Sequence, residues 1–419
     1  MAVAQTLQNR FYGRLLERFF GKKISSKAVM NSTGTGQGMR SYMVMPGQAV
    51  WMDRDYKQFA QEAYVKNVIA HRAIDMVSIA AASIKFELYS INSKGVRREE
   101  KIHPILNILK QPNPMHATSD FFQSLYNYYQ ISGNAFIQAV GPKDLQPTEL
   151  HLLRPDRMAI IAGKATLPEG YRYIVGNQTR DFPVNKITGR SRILHIRNFN
   201  PLNDWYGLSS VEAAAYSIDQ HNQSGAWNQS LLQNGARPSG ALVVRADANS
   251  GGVLSSDQYT RVKQQIDEQF SGPTNAGRPL LLEGGLEWKE MSMTPKDMDF
   301  VEAKHSSARD ISLAFGVPPQ LLGIPGDNTY SNLQEARLAL WEQTVVPLVQ
   351  RTTDTLNNWL IPFFGSGLEL VPDTDGITAL AVSNQAIWDR VEKARFLSDD
   401  EKRAAVGYAP KGQKNKIVA

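Results

Sequence analysis

The chain has 419 residues, of which 42% are hydrophobic and 21% are charged, with a formal net charge of +6 and no cysteine. This length and composition predict a folded protein with room for about two or three compact units. The lack of cysteine excludes a disulfide framework, a cysteine-ligated zinc site, an iron–sulfur cluster and a thiol nucleophile. The small positive excess permits a nucleic acid as partner but does not demonstrate one.

The start of the chain predicts an arm rather than a folded domain. Residues 7–23 combine apolar and basic side chains as an amphipathic helix does, and we favour a protein-docking role over a lipid-binding one. Residues 24–48 are rich in Ser, Gly, Thr and Met without a period, so residues 1–50 are interpreted as a flexible arm. There is no apolar run of about eighteen residues and no secretory pattern, so we expect neither a membrane span nor export.

Residues 51–200 predict an α+β unit of antiparallel character. Helical patterns cover residues 56–82, a short segment after Pro104 and residues 119–132, and an alternating strand covers residues 84–89. Further short strands, separated by Gly and Pro, are predicted at residues 135–140, 149–153, 158–161, 171–175 and 193–196. Because none of these strands runs into a glycine-rich helix start, a dinucleotide-binding fold is disfavoured.

A long helix with almost no charge is predicted for residues 207–235. Ser209 and Glu212 form a capping box at its start, and Gly235 suits its end. The segment has no Lys or Arg, and its polar positions are mostly amides and hydroxyls: Gln220, Asn222, Gln223, Ser224, Asn228, Gln229, Ser230, Gln233 and Asn234. Exposed helix faces usually carry Glu and Lys, whereas a neutral wall lets a polyanion slide past. The alternative is a polar helix that faces solvent or a partner subunit.

A small inserted module follows this helix at residues 237–292. Its predicted elements are a strand at 240–245, a helix capped by Ser255 that ends near residue 270, and strands at 279–283 and 286–291. The last two strands are joined by Gly284-Gly285, which is typical of a two-residue hairpin turn. The module is therefore predicted to have β-α-β-β order.

The rest of the chain predicts two more long helices and a loop between them. The second long helix begins at Thr294 and stops at Pro318-Pro319, and turn-forming residues fill 323–331. The third starts at Asn332, continues for about thirty residues, and should be kinked by Pro347. A strand at 368–371, a helix from Thr378 or Asn384 to Val406, and a loose basic tail at 411–416 complete the chain.

Three stretches of this sequence resemble the portal (connector) proteins of tailed bacteriophages, in particular the family of long-tailed phages. They are PLNDWYGLSSVEAAA before the first long helix, LLQNGARPSGALVV leading into the module, and DISLAFGVPPQLLGIPGDNTYSNLQEARLALWEQTVVPLV across the loop. The order of two long helices around a small insert, a glycine-proline loop and a kinked helix is also similar. The resemblance covers roughly residues 65–375.

The resemblance implies an α+β portal fold that is divided into named parts. These are the flexible N-terminal arm (1–50), the wing (51–206), the first stem helix (207–235), the clip (236–293), the second stem helix (294–317), the tunnel-loop region (318–331), the kinked spine helix with a wing strand (332–376), and the crown helix with the basic tail (377–419).

The resemblance also implies a function. Portal proteins form a closed ring, typically a dodecamer, at one capsid vertex, and double-stranded DNA is packaged and ejected through its channel without sequence specificity. The implied partners are further copies of the chain, the terminase large subunit on the clip, a head–tail adaptor, the major capsid protein and a scaffold. No membrane, metal or cofactor is implied. The chain is expected in the virion after assembly in the host cytoplasm, without enzymatic activity.

Two sets of residues are expected to line the channel. The resemblance assigns the tunnel loop, here Gly326, Asp327, Asn328, Thr329, Tyr330, Ser331 and Asn332, whose neutral groups would touch the DNA backbone while Asp327 repels it. The amide-rich stem helix contributes Asn222, Gln229 and Gln233. Duplex DNA has a phosphate about every 1.7 Å, so a basic wall would hold it and a neutral wall would not. Without the resemblance, a plain helix–helix connection is the simpler interpretation of the loop.

Other functions have weaker support. Residues 207–211 lack the second glycine of a hydrolase nucleophile elbow around Ser209, and the 7 histidines are scattered without a metal-binding pair. Residues 373–376 lack the distal Glu of a calcium loop, and residues 34–38 lack the Lys-Ser or Lys-Thr of a P-loop. The ATPase motor is therefore expected in a partner. The remaining alternative is a nucleic-acid-binding scaffold that does not form a ring.

Overall fold

The structure is a computed structural model that describes residues 55–92, 97–142, 146–163, 167–233, 240–244, 256–270, 286–290, 300–326 and 330–406. The predicted arm, the basic tail and the strand predicted at 279–283 lie outside these residues. Within them, helices and antiparallel strands are mixed, as the α+β prediction requires.

The described elements agree in order with the prediction. The helices are α1 (Tyr56–Gln58), α2 (Val68–Ser83), α3 (Pro104–Lys110), α4 (Thr118–Ser132), α5 (Ser210–Ala213), α6 (Ala215–Gln233), α7 (Ser256–Phe270), α8 (Phe300–Ala314), α9 (Tyr330–Ala339), α10 (Val346–Leu360), α11 (Ala381–Lys393) and α12 (Asp399–Ala405). The strands are β1 (Lys85–Ile91), β2 (Arg97–Glu99), β3 (Asn134–Val140), β4 (Glu149–Leu153), β5 (Met158–Ile161), β6 (Gly170–Val175), β7 (Gln178–Pro183), β8 (Ile193–Arg197), β9 (Gly240–Val244), β10 (Leu286–Glu290) and β11 (Leu368–Asp373). Two π-helical segments occur at Phe59–Val65 and Leu340–Val345.

The first helical region is not the single helix that its apolar pattern predicts, because Asn67 interrupts it. Asn67 is extended, and its side-chain oxygen accepts hydrogen bonds from the N–H groups of Ile69 (3.1 Å) and Ala70 (3.0 Å). This is an N-cap, which satisfies backbone donors that have no partner inside the helix. The π-helical segment therefore ends before Asn67, and α2 begins after it.

The wing contains three small antiparallel sheets with strand orders β11-β1-β2, β4-β3-β8 and β5-β6-β7. In the first sheet, β11 returns from the far end of the sequence to pair with β1, from Lys85 opposite Asp373 to Ser90 opposite Leu368. The sequence did not predict β2 and β7. Strand β7 is mostly exposed and buries only Phe182, so it lacks the alternation by which a half-buried strand is recognised.

A continuous apolar core connects the wing to the stem helices. Helix α2 packs against α4, and their buried side chains include Ile74, Val77, Phe121 and Leu125. The same core continues through residues from the stem and the spine: Val211, Ile218, Ile311, Phe315, Leu340 and Val345. A second cluster around Phe136, Met158 and Tyr171 lies between the β4-β3-β8 and β5-β6-β7 sheets. The start of the stem is therefore part of the wing core.

The spine helix differs in two respects from the kinked helix predicted from Asn332. It begins earlier, at Tyr330, and it contains the π-helical segment Leu340–Val345 directly before α10. At the end of that segment the N–H of Val346 donates to the carbonyl of Trp341, five residues back. Pro347 has no N–H and clashes with the preceding turn, and a wider turn at this point is one way in which a helix accommodates a proline.

The crown is two helices, α11 and α12, where one was predicted. Ser398 and Glu401 form a capping box: the N–H of Glu401 donates to the Ser398 hydroxyl (3.3 Å), and the N–H of Ser398 donates to the Glu401 carboxylate (2.8 Å). This pattern starts a new helix. In the clip, β9 and β10 pair antiparallel from Gly240 opposite Glu290 to Val244 opposite Leu286.

Candidate nucleic-acid interface

The first stem helix is attached to the wing at Ser209. Its hydroxyl accepts hydrogen bonds from the N–H groups of Val211 (3.0 Å) and Glu212 (3.4 Å), as the capping prediction requires. It also donates to the carbonyl oxygen of Ile131 (2.6 Å) at the end of α4. Ser209 is buried, so its hydroxyl joins two helices and is not the exposed nucleophile that the hydrolase alternative needs.

The stem helix is divided in two near its start, which the sequence did not predict. Ala214 has φ −91° and ψ 1°, outside the helical range, so a short α5 precedes the long α6. The 19 residues of α6 span roughly 28 Å at the usual helical rise.

Asn222, which was predicted to line a channel, makes hydrogen bonds to the wing of its own chain. Its side-chain oxygen accepts a hydrogen bond from the Asn67 amide (3.0 Å), and its NH₂ donates to the carbonyl oxygen of Glu62 (2.9 Å). Both ends of the amide are therefore bound within the same chain. Asn222 thus holds the stem helix to the wing, and its place in a channel wall stays a prediction, whereas the wall proposed below consists of Gln229 and Gln233.

The neighbouring His221 belongs to the same joint between stem and wing. The second N–H of the Asn67 amide lies 3.2 Å from Nδ1 of His221 and donates to it, so that the buried Asn67 side chain uses all its hydrogen-bonding groups. Burial, and secondarily the charge of Lys304, lower the pKa of His221. Both effects keep the ring neutral and able to accept this bond. This joint was not predicted from the sequence, although Asn67 ahead of an apolar helix is a recognisable capping signal.

The exposed face of α6 carries no Asp, Glu, Lys or Arg in its described part. Of the two carboxylates in the segment, Asp219 is buried and Glu212 is half-buried. Gln223, Asn228, Gln229 and Ser230 are exposed. Gln229 therefore stays a candidate for contact with DNA. Gln233 is the last residue of the helix, and its side chain lies outside the described part of the structure.

The second stem helix, α8, packs along α6 and has a mixed surface. The Ser217 hydroxyl lies 3.4 Å from the Asp310 carboxylate, and the Ser307 hydroxyl lies 3.4 Å from the Gln220 side chain. Arg309 approaches Glu302 at 3.4 Å and donates to the carbonyl of Pro325 (2.9 Å). The charges of the stem are thus concentrated on α8, while the exposed face of α6 is neutral.

Only the two ends of the predicted tunnel loop are described. Ile324 is buried and Gly326 is exposed on one side, and Arg309 fixes the backbone at Pro325. Asp327, Asn328 and Thr329 lie outside the described residues. Tyr330, Ser331 and Asn332, which were predicted to belong to the loop, form the first turn of α9. The loop is shorter than predicted at this end, because the helix begins at Tyr330, two residues before the predicted start at Asn332.

The described residues include no group of three or more side chains arranged to hold a metal ion. No described helix combines the length and apolar character that crossing a membrane requires.

Comparison with known sequences gives matches along most of the chain. A family model described as phage portal protein matches residues 69–407. A protein of Rickettsia bellii (strain RML369-C) is 45% identical over 346 residues, which are 83% of this chain and 88% of that protein. The portal protein of Enterobacteria phage HK97 is 22% identical over 296 residues, 70% of this chain and 66% of that protein.

Comparison with solved structures gives similar folds. A chain in the neck of an empty gene transfer agent (GTA) particle, computed with C6 symmetry, is 41% identical with a TM-score of 0.66, covering 87% of this chain and 96% of that chain. A chain in the native GTA neck, computed with C12 symmetry, gives 40% identity and a TM-score of 0.64 with the same coverage. An HK97-family portal protein from Corynebacterium diphtheriae shares the fold at 14% identity, with a TM-score of 0.52. The match covers 77% of this chain and 96% of that chain.

Proposed function

Because this chain belongs to the phage portal protein family, we propose that it assembles into a closed ring of identical copies, through which double-stranded DNA enters and leaves a capsid. The observation that carries this proposal is the similarity, at 40% identity over 87% of the chain, to a chain in the neck of a GTA particle computed with C12 symmetry. The ring would be typically a dodecamer and would occupy one vertex of a phage or phage-like particle.

The exposed face of α6 supports this proposal on physical grounds. A helix of roughly 28 Å is as long as a stretch of duplex that carries about 17 phosphate charges on its two strands. A single Lys on this face, repeated in twelve copies, would place a ring of cations at one height and retain the DNA electrostatically. Neutral amides allow transient contacts with the phosphates and do not retain the DNA in this way. Gln229 and, by position, Gln233 are the proposed wall residues.

The proposed partners follow from the same function. The terminase large subunit would dock on the clip during packaging, a head–tail adaptor would take its place afterwards, and the major capsid protein would surround the ring. The clip offers exposed apolar side chains, Val243 on β9 and Tyr259 on α7, that such partners can cover. In this proposal the chain itself is structural, and the energy for DNA movement comes from the partner motor.

Imaging of the purified full-length chain tests the proposed function. Negative-stain microscopy and native mass spectrometry are expected to show a closed ring with a central hole and one integral subunit number per ring. Particles that stay single or paired at all concentrations would instead favour the non-ring nucleic-acid-binding scaffold. The decisive observation is closure around a hole, whatever the number of subunits in the ring.

A further inference from the structure

The loop after β8 exposes two large apolar side chains. This loop, residues 198–206, is called the wing knob below. Phe199 is 74% exposed and Leu202 is 93% exposed. Single exposed apolar residues are common on protein surfaces, but two large ones on one short loop form a patch that another protein surface can bury.

Hydrogen bonds hold the wing knob in one conformation. Three asparagine side chains of the loop accept hydrogen bonds from nearby backbone N–H groups. The oxygen of Asn198 accepts from Phe199 (2.9 Å), and that of Asn200 accepts from Leu202 (2.9 Å). The oxygen of Asn203 accepts from both Trp205 (2.8 Å) and Tyr206 (3.0 Å). Arg351 of the spine donates to the carbonyl of Arg197 (2.8 Å) at the base of the loop. A loop that is already ordered loses little conformational entropy on binding, so its apolar side chains are suited to act as a docking element.

An apolar groove lies at another part of the wing. It has a volume of about 600 Å³ between the end of α2, the start of β1, and helices α3 and α4. Its walls include Phe86, Leu106 and Leu109, of which Leu109 is buried and the other two are half-buried. This set of residues is called the wing groove. Its volume falls within the usual range of about 300–1,000 Å³ for sites that enclose apolar groups.

The wing knob and the wing groove lie at opposite ends of α4. Thr118 and Ser119, at the start of α4, line the groove. At the other end, the N–H of Asn198 in the knob donates to the carbonyl of Gly133, the capping residue of α4 (2.9 Å). The 15 residues of α4 separate the two surfaces by roughly 22 Å. A head-to-tail ring contact requires two different surfaces on each subunit, and these two are separated by the length of α4.

The exposed charges of the two surfaces are complementary. Asp204 is exposed on the knob. Lys85 and Lys110 are exposed at the groove and belong to its lining. A carboxylate that meets two ammonium groups helps to select the orientation and the partner of a contact.

We propose that the wing knob of one copy of this chain inserts into the wing groove of the next copy, with Phe199 and Leu202 against Phe86, Leu106 and Leu109. In this arrangement Asp204 faces Lys85 and Lys110 of the neighbouring copy. The proposal rests on the proposed ring and identifies a contact that would close it. We assign the groove to a second copy because the knob of this same chain carries both exposed apolar side chains and a carboxylate that complements Lys85 and Lys110.

A charge-exchange experiment with full-length chains tests this contact. One variant has Asp204→Lys, and the other has Lys85→Glu with Lys110→Glu. Each variant alone places like charges at the contact, so its fraction in rings should fall at least about tenfold relative to wild type. A 1:1 mixture restores opposite charges at every contact of an alternating ring. We expect mixing to return the ring fraction to within about twofold of wild type, with equal amounts of both variants by native mass spectrometry.

The mixing step also shows that the variants are folded, since a misfolded chain is not rescued by its partner. Substitution of both Phe199 and Leu202 with Ser should reduce ring assembly similarly. Ile187→Ser, at a wing residue that is 95% exposed, is the matched control and should have no effect. Variants that form rings as wild type does, including variants that lose only capsid-protein binding, would overturn the knob-and-groove contact. That result would not contradict the proposed function. The proposed function is contradicted only if the wild-type chain forms no ring.

Discussion

His195 is a half-buried histidine on β8 that connects the β4-β3-β8 and β5-β6-β7 sheets to the start of the stem. Its ring stacks on Phe136 with centroids 4.3 Å apart, and its Nε2 donates to the side-chain oxygen of Asn134 (2.9 Å). The same oxygen accepts a hydrogen bond from the N–H of Gly207 (2.7 Å), just before the first stem helix. Burial, and then the nearby Arg197 charge, lower the pKa of His195 to about 3. The ring is therefore neutral in the folded protein.

This lowered pKa predicts a loss of stability in acid. The unfolded chain binds a proton at His195 below pH of about 6.5, whereas the folded chain does so only near about 3. The free energy of unfolding should therefore decrease as the pH falls from about 6.5 towards 3, by up to a few kcal/mol. His221 has a shift in the same direction and adds to this decrease.

The variant His195→Gln keeps a donor towards Asn134 but does not titrate. Urea unfolding between pH 7 and pH 5 should show a smaller pH dependence for this variant than for wild type. Ile187→Ser, at an exposed wing position that does not titrate, provides the control and should keep the wild-type dependence. An unchanged slope in His195→Gln would contradict the assignment of the acid sensitivity to this residue.

At the scale of elements, the contact between α4 and the stem depends on two glycines that bring backbones together. Gly133 ends α4 with φ of +72°, and a Cβ at this position would lie 2.5 Å from the carbonyl carbon of Leu208. A Cβ on Gly207 would lie 2.1 Å from the carbonyl oxygen of Gly133. Neither backbone can move away easily, because both are hydrogen-bonded through Asn134 and Asn198.

Alanine substitution separates the effect of this close approach from the effect of backbone conformation. Gly133→Ala should lower the free energy of unfolding by at least about 3 kcal/mol, because it adds a clash to an unfavourable φ. Gly176 has φ of +57° but open space around it, so Gly176→Ala should cost only about 1 kcal/mol. Urea unfolding of the two variants measures the difference, and equal losses would show that the backbone contact has little energetic weight.

At the scale of the whole molecule, the proposed function depends on how the stem presents its surface to DNA. The two stem helices differ in charge. Helix α8 carries the charged residues, and the exposed face of α6 is neutral in its described part. In a ring of such subunits, α6 would present a neutral surface to the DNA, and the charged groups of α8 would be left for contacts with neighbouring subunits or other proteins.

Adding positive charge to this wall should slow the passage of DNA. Gln229→Lys is expected to reduce the rate in an in vitro packaging assay, most strongly at about 50 mM salt and less at about 200 mM. The reason is that Lys–phosphate binding is driven by the release of counterions from DNA, which becomes less favourable as the salt concentration rises. Gln178→Lys makes the same change at an exposed position of the β6–β7 hairpin of the wing and should leave the rate unchanged. An unchanged rate for Gln229→Lys in intact rings would remove α6 from the channel wall.

Much of the fold could be predicted from local patterns in the sequence. Strands β4 and β5 have the predicted ends, and Ser209 caps the stem helix, because alternation and capping depend on residues a few positions apart. The family follows from the segments around the stem and the loop, and the match over residues 69–407 confirms it. The helix breaks at Asn67 and Ser398 are also local signals, although the longer apolar patterns concealed them.

The tertiary structure alone decided which polar side chains of the stem are available. Asn222 and Gln229 are seven residues apart and lie on the same side of α6, and the sequence assigned them the same role. Asn222 is bound by Asn67 and Glu62, about 155 positions away in the chain, whereas Gln229 is exposed. The period of a helix determines which residues share a face. Whether that face is covered depends on where another part of the chain packs, which no local pattern contains.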